Sequence, residues 1–291
     1  MNGSQIPPSL IGAAILVDEV GLESGVFGQY RLRSAYQPIF ERRGPLLVPI
    51  ALEGLVSPHL AGEAIAPDLF FGGVEAGDSP IVQAICRAIH LRNHRNCEME
   101  LDLWFHYDPW VDRDFMEFLR ATSLMAGRLP QAELDPQRLV CEISEAAMLD
   151  LPAQSSLVAR MRGLGTRMAI DGFGGGESSL ERIGQIRPDV VRMDGDWFRK
   201  LCSESTAIRL LASLISGFRQ RGTKILIGGI ESAAQLGHAL ACNADFLQGA
   251  YLARPALVGT AFQAAPLSAG ELLRGGGTVV PLFQGPCPTW R

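Results

Sequence analysis

With 291 residues, 47% of them hydrophobic and 20% charged, the chain is long for one ordinary domain, normal for a single α/β barrel, and too apolar for a disordered protein. A net charge of −5, from 26 basic and 31 acidic residues, gives no electrostatic case for binding nucleic acid duplexes. The six cysteines (86, 97, 141, 202, 242 and 287) form no C-x-x-C pair and no zinc-spaced cluster, so they read as free thiols in a reducing compartment.

In chain order, residues 1–30 read as a lead-in in which "DEVGLESGVFGQY" (18–30) forms a short helix and covers the barrel bottom. The apolar run 10–17 within it is too short to span a bilayer and lacks a basic flank, so a cytoplasmic protein with no membrane contact is expected. No receiver, PAS or cyclase segment is expected ahead of it. Residues 31–265 read as one barrel domain, and 266–291 as a tail rich in glycine and proline. In that tail Val279, Val280, Leu282 and Phe283 would add an edge strand or meet a partner.

The run 46–53, "LLVPIALE", is the first clear strand, with Pro49 marking either a strand start or an irregularity. Asp78-Ser79-Pro80 opens a helix through residue 92. Residues 97–106 alternate as a strand, and a helix over 112–127 closes at Gly127. Strand 138–144 precedes a helix ending near Gly163 or Gly165, and "RMAID" (167–171) is the next strand. Helix "SSLERI" and strand 189–194 follow, then one long helix over 197–220. The series ends with strand 224–228, helix 232–242 and a brief strand before "QGAYLARP". Short β-rich runs alternating with helix-length segments predict parallel β-α units and an α/β fold of TIM-like (β/α)8 type.

Glu53, Glu142, Asp171, Asp194 and Glu231 each fall at or just past the C-terminal end of a predicted strand, with His106 and Gln248 in similar places. In a barrel those ends share one face, where converging carboxylates hold hard divalent cations. A single such acid is more often a cap or a solvated charge; five in register are harder to dismiss.

These positions carry a resemblance. "YQPIF" (36–40), "EGL" (53–55), "CEISE" (141–145), "DGFGGGESSL" (171–180), "DVVRMD" (189–194), "GGIES" (228–232) and "QGAYLARP" (248–255) together resemble the EAL-domain family across residues 31–257. That family comprises phosphodiesterases that linearise cyclic di-GMP, and non-catalytic relatives. The resemblance implies two-metal hydrolysis with Mg2+ or Mn2+. It assigns metal-ligand positions to Glu53, Glu142 and Asp171, and a loop-organising role to Glu145. Ligand-binding positions fall on Gln37, Arg192, Asp194, Glu231 and Gln248. The family's metal-binding Asn corresponds to His106, the favoured alignment, or to Trp104 after a slide of two.

The departures are informative. Gly172 replaces the second acid of D-D-F, Gly228 replaces the Glu of A-E-G-V-E, and Ser57 replaces an Arg that grips phosphate. Arg192 replaces the catalytic Lys, keeping a charge that it never gives up. No catalytic residue is therefore assigned, and one metal site is expected rather than two. The glycine-rich loop after Asp171 either receives an anion on its amides or is a flexible loop capped by Ser178 or Ser179. The expected function is a nucleotide sensor or a regulator with a protein partner; the alternatives are a slow phosphodiesterase and a barrel enzyme for another substrate. A homodimer is open, since the loop through which members dimerise is altered.

Overall fold

The computed structural model describes residues 8–94, 100–108, 135–148, 151–176, 178–260 and 265–275. The expected helix 112–127, Cys97, Cys287, Glu177 and the four apolar residues of the tail lie outside these described residues.

Two long strands dominate the N-terminal part, β3 (Tyr30–Arg43) and β4 (Leu46–Leu60), ahead of which lie β1 (Ile15–Val17) and β2 (Glu23–Phe27). β3 and β4 form an antiparallel hairpin, not the parallel units expected here. The link between them is Gly44-Pro45, with Gly44 in the left-handed region at φ 62°, and two residues are far too few for a parallel crossover. Pro49 sits beside an irregularity, the second of the two placements expected for it. The β3–β4 register slips between Ile39 and Phe40, so that Ile39 faces Ala51 and Phe40 faces Pro49.

After the short β5 (Glu63–Ala64), which pairs with β4, the rest of the wall is parallel: β6 (Asp102–His106), β7 (Leu139–Ser144), β8 (Arg167–Phe173), β9 (Val190–Met193) and β10 (Lys224–Ile227) run in order from β4. β11 (Phe246–Leu247) pairs with β10 and with β3, which closes an eight-stranded TIM-like barrel. Three of the helices between strands begin at side-chain caps. Ser179 caps Leu180–Ile186, Asp194 caps Gly195–Leu201, and Ser232 caps Ala233–Ala241.

Three expectations change. The single helix over 197–220 is two, Gly195–Leu201 and Ser205–Gln220, because the Ser203 hydroxyl bonds back to the Lys200 carbonyl and the chain restarts at Glu204. The described part of the lead-in forms the strand β2 where a helix is expected over 18–30, because residues 24–27 pair with β3, and it does not cover the barrel bottom. β2 pairs with residues 30–33 of β3, opposite residues 57–60 of β4, which lie past Glu53 at the mouth end. The tail begins docked: after β12 (Ala256–Leu257), which pairs with β3, β13 (Leu267–Ser268) pairs with Leu46 and Leu47, and the helix Ala269–Leu273 buries Ala269 and Leu272 against the barrel.

One face of the β3–β4 hairpin packs on the helix Ser79–His94. There Tyr36 donates to the His90 carbonyl, and His90 Nδ1 lies 3.0 Å from the Ser34 hydroxyl. Gly54 permits this approach, since a Cβ there would stand 3.0 Å from the His90 ring. Among the described residues, no helix is long and apolar enough to cross a membrane.

Candidate functional site

The site is a layer of the barrel. One buried residue from each of the eight strands fills the interior: Ile39, Ala51, Trp104, Val140, Ala169, Val190, Leu226 and Phe246. Side chains alternate along a strand, so the next inward-facing residue toward the mouth is two positions on, or two back in the reversed β3. That rule yields Gln37, Glu53, His106, Glu142, Asp171, Arg192, Gly228 and Gln248. Trp104 belongs to the apolar layer, packed edge-on against Phe246. His106 stands at the mouth with 58% of its side chain exposed.

Arg192 is the hub of the layer. Its Nη1 donates to Glu53 Oε1 at 2.8 Å and to Glu142 Oε1 at 2.9 Å, and its Nη2 donates to Gln248 Oε1 at 2.9 Å. Its Nε lies 3.6 Å from Asp171 Oδ1. Gln248 completes the circuit, donating from Nε2 to Glu53 Oε2 at 2.6 Å. Gly228 is what leaves room for the guanidinium: a Cβ there would stand 3.3 Å from Arg192 Nε and 3.5 Å from Nη2.

The two buried glutamates divide in their proton affinity. Burial works to raise the Glu53 carboxyl, but Arg192, His106 and the Gln248 amide together outweigh it and hold the group low. Glu142 goes the other way: burial and the facing charge of Glu53 push it up against the pull of Arg192. Glu142 Oε2 is buried with no hydrogen-bond partner among the described residues. His106 Nε2 lies 3.6 Å from Glu53 Oε1 and 3.9 Å from Glu142 Oε2. One ligand atom from each of Glu53, His106 and Glu142 lies within 4.8 Å of the others, an arrangement that could hold a metal ion.

Other residues singled out in the sequence lie around this hub. Gln37 donates to the Ala253 carbonyl at 3.0 Å, tying β3 to the segment after Gln248. Asp194 is engaged as a helix cap, accepting from the Trp197 amide at 2.7 Å. Glu231 is 61% exposed, its carboxylate 3.7 Å from Arg199, which also pairs with Asp196. Ser57 is buried on β4, opposite Arg33.

Glu145 organises the glycine loop. It accepts from the Ser178 hydroxyl at 2.6 Å and from the Ser179 amide at 3.0 Å, while Ser178 Oγ accepts from the Gly174 amide at 2.8 Å. A residue of the protein thus already occupies the anion position considered for this helix start. Gly172 and Gly174 take φ of 88° and 95°, and a Cβ on Gly174 would fall 2.4 Å from the Trp197 ring. The bridging role of Ser178 and the support from Trp197 were not read from the sequence; the signal available was the pair of serines after the glycines.

A sequence model of the EAL domain matches residues 24–255. The cyclic di-GMP phosphodiesterase RocR of Pseudomonas aeruginosa is 27% identical over 132 residues, covering 45% of this chain and 34% of that protein. The signaling protein YkoW of Bacillus subtilis is 23% identical over 228 residues, covering 76% of this chain and 28% of that protein. The chain therefore spans only about a third of these relatives' length. Among solved structures, the Xanthomonas citri FimX EAL domain in complex with c-diGMP superposes with TM-score 0.68 at 15% identity, covering 80% of this chain and 91% of that one. The Bacillus subtilis YkuI protein, in complex with c-di-GMP and calcium, gives TM-score 0.67 at 24% identity, covering 80% and 57%. At these identities the structural likeness speaks for the fold.

Proposed function

The chain belongs to the EAL domain family, and from that premise we propose that it is a degenerate member acting in cytoplasmic cyclic di-GMP signalling by binding rather than turnover. It serves as a nucleotide sensor or as a regulator that engages a partner protein, with hydrolysis lost or much reduced. One observation carries this reading: the Arg192 guanidinium is fastened to Glu53, Glu142 and Gln248 at 2.8–2.9 Å, in the middle of the carboxylates that would otherwise gather around metal ions. Arginine does not surrender its proton and is held as a fork, so it neither relays a proton nor frees the carboxylates.

The residues fit one ion and not two. The open Glu142 Oε2 with Glu53 and His106 supports a single position. Asp171 faces Arg192 instead of a second ion, and Gly172 and Gly228 offer no side-chain donor. When bound, a divalent ion supplies positive charge to a phosphate and lowers the pKa of its water. Gln37, Arg192, Asp194, Glu231 and Gln248 are the ligand-binding positions in this reading, and Arg192 and Gln248 meet a ligand only by releasing the carboxylates they now bond. A phosphodiester is the anion these groups receive. A partner protein is expected and a homodimer is the alternative assembly.

Calorimetric titration of cyclic di-GMP, once with calcium and once with EDTA, together with chromatography for linear product, tests the reading. Micromolar or tighter binding with no metal-dependent product is expected for the sensor. No binding under either condition leaves the partner-protein role, and robust metal-dependent production of linear dinucleotide overturns the proposal. The second reading, a slow phosphodiesterase, is favoured by the Glu53, His106 and Glu142 donor set. It requires that Glu53→Ala abolish whatever turnover is measured.

A further inference from the structure

We propose that the mouth holds a mononuclear site selective for a borderline divalent ion of the Zn2+ type over Mg2+ and Ca2+, with His106 as the nitrogen ligand and Arg192 in the place of a second cation. The inference concerns the site discussed above, but it is decided by metal alone, so a protein indifferent to nucleotide still tests it.

The donor geometry comes first. Ligands of a tetrahedral ion lie about 2.0–2.2 Å from the metal and therefore about 3.4 Å apart. His106 Nε2 stands 3.6 Å from Glu53 Oε1 and 3.9 Å from Glu142 Oε2, so these two edges are already near that spacing, and the three ligand atoms all lie within 4.8 Å of one another. Glu142 Oε2 is the second, independent observation. Its sister oxygen accepts from Arg192, yet Oε2 itself is buried, turned to the His106 side, and meets no donor among the described residues. A buried carboxylate oxygen without a donor is costly, and a cation between it and His106 removes that cost. The exposed imidazole provides the entry path and leaves a fourth position to water or a ligand anion.

The donor types set the selectivity. Mg2+ and Ca2+ take shells of six or more oxygens, whereas an imidazole with two carboxylates suits Zn2+ and its neighbours in the first transition row. Arg192 sets the stoichiometry. Its Nη1 lies between the Oε1 atoms of Glu53 and Glu142, and its Nε takes up Asp171, so that half of the cluster already holds a positive charge.

Metal-stripped, reduced protein titrated calorimetrically with ZnCl2 and with MgCl2 provides the test, with thermal melts alongside. One Zn2+ per chain is expected at this site, bound at least about tenfold more tightly than Mg2+. His106→Asn, which exchanges nitrogen for oxygen, is expected to weaken Zn2+ at least about tenfold and to leave Mg2+ nearly unchanged. Co2+ loaded in place of Zn2+ is expected to lack a thiolate charge-transfer band, which separates the site from the cysteines. Unchanged Zn2+ affinity in both His106→Asn and Glu142→Gln, each folded by circular dichroism, overturns the proposal. So does a preference for Mg2+, or two equivalent ions at the mouth of the native chain.

Discussion

Arg192→Met tests the hub directly. The substitution keeps a similar length of apolar stem and removes the guanidinium, leaving Glu53 and Glu142 buried without their cation. Breaking a buried ion pair from one side costs about 3–5 kcal/mol. Arg192 is 18% exposed, so some water can follow the lost group, and the lower end of that range applies. For a domain of this size about 3 kcal/mol corresponds to a fall of roughly 6–12 °C in Tm. The pH dependence has a definite sign. Without Arg192 both carboxyls have folded pKa values above their unfolded values, so the folded state binds more protons and gains stability as pH falls. The gap between variant and wild type should therefore narrow from pH 7.5 to pH 5.5 in EDTA. A divalent cation should restore the variant by more than it stabilises the wild type. Thermal and denaturant melts at the two pH values, with and without metal, measure all three. A variant within a degree or two of wild type at pH 7.5, or a gap that widens in acid, refutes the picture of Arg192 as the resident cation.

Acid should weaken the junction between the hairpin and the helix Ser79–His94. Burial holds His90 down at about 3 and His94 at about 4, so both are neutral in the fold, and stability is lost as pH falls from 6.5 toward those values. At pH 5 the loss is roughly 2 kcal/mol for each histidine, readable by urea titration at pH 7 and 5 and about halved in His90→Gln. Gly174→Ala sets a Cβ at φ 95° against the Trp197 ring, and a cost of about 2 kcal/mol or more is expected with a change in tryptophan emission. Glu145→Gln weakens the acceptor for Ser178 and Ser179. It should cost about 1–2 kcal/mol and speed hydrogen exchange at the Ser179 amide.

The sequence made the barrel legible because each short strand is an apolar run with a turn signal at both ends. It hid the β3–β4 hairpin because long antiparallel strands alternate by face, and "YRLRSAY" mixes arginines for the mouth side with Leu32 and Ser34 for the helix side. Gly44-Pro45 was the available sign that the link was a turn. The split of 197–220 escaped because apolar spacing continues across it, while the stop is a single serine hydroxyl bonded to its own turn. At the site, the strand-end rule found the right layer, since it depends only on alternation. What it could not supply is which members touch. Arg192 and Glu53 lie 139 residues apart, on strands from opposite parts of the chain, and only closure of the barrel brings them within 2.8 Å.

Two of the departures turn out to be one physical change. Read along the chain, Arg192 for Lys and Gly228 for Glu count as separate losses. In the barrel they are neighbours on β9 and just past β10, and a Cβ at 228 would stand in tight contact with the guanidinium, 3.3 Å from its Nε. Restoring a carboxylate at 228 while Arg192 stays therefore crowds the guanidinium and requires it to shift before the new group serves as a ligand. The charges follow the same logic. Glu53, Glu142 and Asp171 retain three carboxylates, Arg192 supplies one fixed positive charge, and the open oxygen of Glu142 marks where the balance is incomplete. A single divalent ion closes that balance and a second would overshoot it, which is why a reversion to the two-ion arrangement needs positions 172, 192 and 228 changed together.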